Sequence, residues 1–224
     1  MTGMADTVFL FDVDNTLLDN DRVQADLGAH LAKYYGEQTR DRFWKIFEDL
    51  RSELGYSDYL GALGRYRLEA MHDPGLLRMA NWMVDYPFRD RLYPGAIAVV
   101  KAAQLVGTTA ILSDGDAVFQ PRKVERSGLW QVFGDNVLIY VHKELELADV
   151  ENHLPARHYV MIDDKLRILD AIKRAWGDRA TRVFPRQGHS ATDRNMVTEF
   201  SSADITVERI GDLLGNDLAA LAKR

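Results

Sequence analysis

A run of four apolar residues, Val8-Phe9-Leu10-Phe11, stops abruptly at Asp12-Val13-Asp14-Asn15-Thr16. The run reads as a buried strand, and its end constrains everything around it. Side chains alternate across a strand, so Asp12 and Asp14 project to the same side. Two carboxylates held this close repel, and a fold tolerates them only where a cation or a shared proton compensates. A bound divalent metal ion would supply that compensation.

Strand-like apolar runs recur at Thr108–Leu112, Val137–Val141, Tyr159–Ile162 and Thr181–Phe184, with a weaker one at Ile205–Val207. Helix-period segments separate most of them. Ala96–Val106 starts just after Pro94-Gly95, and Gln120–Leu129 carries the stop signal Ser127-Gly128. Lys165–Trp176 places Leu166, Leu169, Ile172 and Lys173 at helical spacing. Such alternation predicts an α/β domain with a mostly parallel sheet and right-handed crossovers. Residues 18–92 differ: they show no strand, many aromatics and apolar residues at helical intervals, and they exit through Tyr86-Pro87 and Tyr93-Pro94-Gly95. They read as a helical insertion, leaving residues 1–17 and 93–224 as the α/β core.

Composition narrows the function classes. With 28 Lys+Arg against 34 Asp+Glu and no dense basic run, the chain is not expected to bind nucleic acid. Cysteine is absent, which excludes disulfides, thiolate catalysis and Cys-ligated zinc. No signal-peptide pattern opens the sequence, and no run approaches the roughly 20 apolar residues that span a bilayer. A cytoplasmic protein without membrane partners is the expectation.

Ligands of open α/β sheets bind beyond the carboxyl ends of the strands. The first strand delivers Asp12 and Asp14 there, the second Ser113-Asp114-Gly115, the third His142 and Lys143, and the fourth Asp163 and Asp164. In this order the four groups resemble the motifs of the haloacid dehalogenase superfamily, over Val8 to about Asp170, with a helical cap inserted after the first. The resemblance implies a Rossmann-like core and a phosphatase acting on a small-molecule phosphate ester. It makes Asp12 the nucleophile that forms an aspartyl-phosphate and Asp14 the general acid/base. Ser113, with Asp114, Gly115 and nearby backbone N–H groups, would bind the phosphoryl oxygens, with Thr16 supporting the loop and Lys143 balancing charge. Asp12, the backbone carbonyl of Asp14, Asp163 and Asp164 would hold Mg²⁺, which prefers oxygen ligands.

Several residues have plainer readings. Lys143 is followed by Glu144 where the family often has Pro, and a surface lysine is the default. Lys123, in Arg122-Lys123-Val124-Glu125, is expected on a solvated helix face. Asp170 is expected to be structural, and Phe184–His189 an ordinary surface loop. An arginine of the insertion, such as Arg22 or Arg65, is expected to face the substrate. A dehalogenase would need neither Asp14 nor a full acidic metal set, a phosphomutase would share all four motifs, and a non-catalytic binding protein would have lost one.

Overall fold

The computed structural model describes residues 4–193 and 199–222. Six strands form one parallel sheet among the described residues: β1 (Ala5–Phe11), β2 (Thr108–Asp114), β3 (Val137–Tyr140), β4 (Ala156–Ile162), β5 (Ala180–Pro185) and β6 (Ile205–Val207). Their order is β3-β2-β1-β4-β5-β6, with every neighbouring pair parallel. The strand runs read from the sequence are all present, most of them a residue or more longer. Chain order reverses beside β1, so the crevice of the topological switch lies where Asp12 leaves the sheet.

Near-continuous apolar strands form because both faces of a parallel sheet are covered. Phe9 and Phe11 pack into one apolar cluster, with α5 (Ala96–Gln104), α6 (Phe119–Ser127) and α7 (Leu129–Phe133). Val8 and Leu10, one step out of phase, pack into a second, with α8 (Leu147–His153) and α9 (Leu166–Trp176). The sheet is thereby pinned in register, because a slip of one residue would turn Asp12 into the core. The predicted helix at 120–129 ends at Ser127: Gly128 takes a left-handed conformation (φ 83°), and α7 starts anew.

The insertion is helical, as its period implies. It comprises α1 (Asn20–Tyr35), α2 (Glu37–Leu54), α3 (Tyr59–Glu69) and α4 (Gly75–Asp85). Asp19 caps α1 and Asp58 caps α3, each carboxylate accepting an early backbone N–H. Aromatics make the insertion's own core, and Tyr59 carries it onward: its ring lies 4.7 Å from Phe47 and 5.0 Å from Phe119 of α6. The outgoing and returning chains run side by side, Leu18 bridging Leu92 and the Tyr93 N–H donating to the Leu17 carbonyl.

That return is closed by two glycines. Gly95 has φ 85°, and a Cβ built there would stand 2.8 Å from the Gly211 Cα. Neither the left-handed backbone nor the contact with main chain can relax cheaply. Gly95→Ala should cost about 1–3 kcal/mol, read from the urea unfolding midpoint; a wild-type midpoint would contradict the packing described.

Candidate active site

Four adjacent strand ends converge. Asp12 is almost wholly buried, and its Oδ1 lies 2.6 Å from the Nζ of Lys143. The same ammonium stands 2.7 Å from Asp163 Oδ2 and donates to the Leu112 carbonyl at 3.2 Å. Lys143 is fully buried, so the surface-lysine reading is wrong. Burial alone would discharge it, but Asp12 and Asp163 outweigh that and hold it firmly protonated. Its backbone N–H donates to Asp114 Oδ1 (2.8 Å), which locks the loop after β3 onto the end of β2.

Ser113 donates to Asp12 Oδ1 (3.3 Å) and accepts from Gln120 of α6 (3.0 Å), so its hydroxyl sits beside the buried carboxylate. Gly115, expected at the phosphate, serves the scaffold instead, and so does the loop residue Thr16. Thr16 is fully buried and its hydroxyl accepts the Asp164 N–H at 3.0 Å. The Gly115 N–H is spent on the Tyr140 carbonyl (2.8 Å), and a Cβ there would meet Gln120 at 2.4 Å. Asp170 takes Ser201 and Arg174 as partners, in keeping with a structural role.

Asp12, Asp163 and Asp164 offer carboxylate oxygens that all lie within 4.8 Å of one another. Asp12 Oδ2 and both oxygens of Asp164 are buried with no hydrogen-bond partner among the described residues. Orphaned acceptors of this kind are costly. Burial raises Asp163 to about 6, and burial together with Asp163 and Asp12 pushes Asp164 well above the usual carboxylate range. A hard divalent cation with oxygen ligands would satisfy all three orphans at once, so the donor set fits Mg²⁺. The Asp14 side chain is not in this cluster.

Asp14 is instead bound by Lys123, whose Nζ lies 2.6 and 2.8 Å from its two carboxylate oxygens and 3.1 Å from Asn20 Oδ1. Lys123 is fully buried between the rings of Tyr59 and Phe119. The solvated-face reading fails because its partner is 109 positions away, which no local pattern reveals. Asn15, in the left-handed region at φ 59°, orders the intervening turn by accepting the N–H groups of Asn20 and Asp21.

A cavity of about 400 Å³ opens from Asp14 between the inserted helices and the strand ends, and Tyr59, Arg51, Lys165, Arg167 and His189 are on its wall. Arg51, in the last turn of α2, stands where the sequence pointed to Arg22 or Arg65; those two pair with Asp26 and Glu53. The segment after β5 is also part of the site. Gln187 donates to the Asn15 and Thr16 carbonyls, and Gly188 (φ 69°) lies so near Asn15 that a Cβ would meet it at 2.5 Å. His189 follows, at the start of α10 (Gly188–Thr192), and reaches the cavity. The sequence carried one hint of this, the tight Gln187-Gly188-His189 run immediately after a strand.

The model of the haloacid dehalogenase-like hydrolases matches residues 7–175. The chain belongs to that family. A solved protein from Burkholderia xenovorans LB400, assigned to the haloacid dehalogenase-like hydrolases, is 60% identical over 95% of this chain and 99% of its own, with a TM-score of 0.90. The L-2-haloacid dehalogenase of Xanthobacter autotrophicus is 20% identical over 94% and 99% (TM-score 0.63). The magnesium-bound hydrolase YfnB of Bacillus subtilis is 15% identical over 94% and 97% (TM-score 0.62). The last two show a shared fold. No curated protein matches the chain.

The Asp14–Lys123 pair has an asymmetry that can be measured. Removing Asp14 strands a fully buried ammonium, whereas removing Lys123 leaves a carboxylate that fronts the cavity and can turn to water. Asp14→Ala should therefore cost about 3–5 kcal/mol and Lys123→Met distinctly less, both read by chemical denaturation. The reverse order would contradict the burial described.

Proposed function

We propose that this hydrolase is a Mg²⁺-dependent phosphatase acting on a small phosphate ester through an aspartyl-phosphate on Asp12. The observation that carries the reading is a second carboxylate, Asp14, at the mouth of the cavity beside a buried triad of acidic ligands. Displacement at carbon by a halide-releasing enzyme needs no proton donor and no metal, and it gives neither group anything to do. Residues 18–92 would act as the cap over a core made of residues 1–17 and 93–224. The cysteine-free composition suits a cytoplasmic setting, and no helix among the described residues is long and apolar enough to cross a membrane.

Each of the chain's own groups then has a task. The Asp12 carboxylate attacks phosphorus as the bond to the leaving oxygen breaks, and Asp14 gives that oxygen its proton. In the second half Asp14 takes a proton from water, the water oxygen bonds phosphorus, and the bond to Asp12 breaks to release inorganic phosphate. Lys143 and Ser113 hold Asp12 through Oδ1, so the nucleophile reacts from one orientation. Lys123 and Asn20 fix the rotamer of Asp14 at the cavity mouth. Asp12, Asp163 and Asp164 would hold Mg²⁺, which supplies positive charge against the phosphoryl oxygens when bound.

Phosphate release should require both Mg²⁺ and Asp12: EDTA and Asp12→Asn should each lower turnover by at least 1,000-fold, roughly 4 kcal/mol of barrier. Halide release from 2-haloacids, with no response to EDTA, would replace this reading with dehalogenation. Independently of activity, Mg²⁺ at about 100 times its dissociation constant should stabilise the fold by roughly 2.7 kcal/mol. That is a rise of several degrees in Tm. Asp164→Ala should abolish the rise and Asp170→Ala should keep it; equal behaviour would remove Asp164 from the ligand set.

A further inference from the structure

Three cationic groups of the cavity wall come from three separate parts of the chain: Arg51 from α2, Lys165 from the loop after β4, and His189 from α10. His189 is fixed in place by Asp21, which accepts its backbone N–H at 2.7 Å and faces its Nδ1 at 2.6 Å. That contact keeps the ring protonated more readily than an ordinary histidine, and leaves Nε2 without a hydrogen-bond partner among the described residues. Lys165 and Arg51 are both near enough for their charges to be felt at His189. The ammonium of Lys165 makes no hydrogen bond or ion pair among the described residues, although the nearby Asp164, Asp12 and Asp163 carboxylates outweigh its burial and hold it protonated; its backbone N–H donates to Asp163 Oδ1. Among the described residues Arg51 shares its guanidinium only with Glu48, a half-exposed neighbour one turn away.

The acidic groups on the same wall are already taken. Lys123 holds Asp14, the Lys143 N–H binds Asp114, and Asp193 is engaged too, while Arg167 of the same wall is taken by Glu144 from outside it. Like charges converging on a cavity carry the same implication as the paired aspartates of the first strand: an opposite charge belongs between them. Asp21, Glu48 and the Asp12–Asp163–Asp164 cluster each offset one of the three cations, but none of these carboxylates is on the cavity wall, and a ligand would bring an anion there. In the phosphatase reading the phosphoryl group takes Ser113 and Lys143, which are buried at Asp12 and not on this wall, so this charge is a second one.

We propose that Arg51, Lys165 and His189 form a subsite for a second anionic group, so that the substrate is a short phosphate ester carrying a carboxylate or a second phosphate. The inference rests on the phosphatase reading and names its substrate class. A cavity of about 400 Å³ accommodates a molecule of a few carbons between two anionic ends. A guanidinium fork from the inserted helices and an ammonium from the core would grip that end from opposite walls. Binding the substrate would then also draw the insertion onto the strand ends.

The test compares three esters that differ at one terminus: glycerol 3-phosphate, 3-phosphoglycerate and glycerol 1,3-bisphosphate. Wild-type kcat/KM for one of the two anion-bearing esters should exceed that for glycerol 3-phosphate at least tenfold, and which one wins identifies the anion. Arg51→Met should reduce that ratio at least tenfold, chiefly through KM, with partial recovery in Arg51→Lys. Lys165→Met should act in the same direction. Turnover that needs Mg²⁺ and Asp12 but shows no preference among the three, or a preference that Arg51→Met leaves intact, overturns the subsite while the phosphatase reading stands. No phosphate release from any of them, nor from a wider panel of esters, overturns that reading and the subsite with it.

Discussion

Asp12 and Asp163 share a buried floor because one ammonium, that of Lys143, stands between them at 2.6 and 2.7 Å. Almost every other feature of the site follows from that contact. It needs β3 to lie two strands from β1, so that the loop after β3 can swing across the end of β2 to reach both carboxylates. It needs β4 to be the other neighbour of β1, since Asp163 comes from there. Parallel order, with β2 and β4 on either side of β1, brings these three groups within a few ångströms. The pairing is no source of stability in itself, because desolvating three charges offsets their attraction. What it provides is an Asp12 carboxylate with one orientation, beside acidic groups still short of positive charge.

Local pattern carried the fold and half the site. The strands and the long helices were legible because burial on both faces of a parallel sheet writes itself as short apolar runs, and amphipathic helices repeat every three to four residues. Asp12, Ser113, Lys143 and the Asp163-Asp164 pair were legible because strand ends are where an α/β fold collects its chemistry. Lys123 was not, since a lysine on a helix between Arg122 and Glu125 is written identically whether its face meets water or a carboxylate. His189 and Arg51 were hidden for the same reason: their meaning lies in what another part of the chain brings opposite them. The short helices around Leu147 were missed because seven residues hold too few periods to stand out.

Where the sequence reading erred about roles, the error ran in one direction. Gly115 sits in a motif and was assigned to the ligand, yet it serves the backbone beneath it, as Thr16 of the first motif does. Thr16 fixes the Asp164 N–H and so the turn that presents the two aspartates; Gly115 clears space for Gln120, which in turn orients Ser113. A functional motif therefore mixes residues that touch the ligand with residues that hold the first kind still. Only contact geometry separates them.

The Asp14 carboxylate belongs to a polar chain that leaves the sheet layer altogether. Lys123 joins it to Asn20, the Asn20 amide donates to the Tyr59 hydroxyl at 3.2 Å, and Gln24 donates to the same hydroxyl at 2.8 Å. Asn20 and Gln24 belong to α1, at the base of the insertion, while Tyr59 opens α3 farther along it. Every link is buried or nearly so, and a polar group in that setting cannot lose its partner without cost. A displacement of α3 away from α1 would break the Tyr59 contacts first and leave Lys123 with less to hold it in place. The orientation of Asp14 is thus tied to how the inserted helices sit on the strand ends. That coupling is built from side chains 39 and 103 positions apart in the chain, and it makes an ordered insertion a condition for an ordered Asp14 carboxylate.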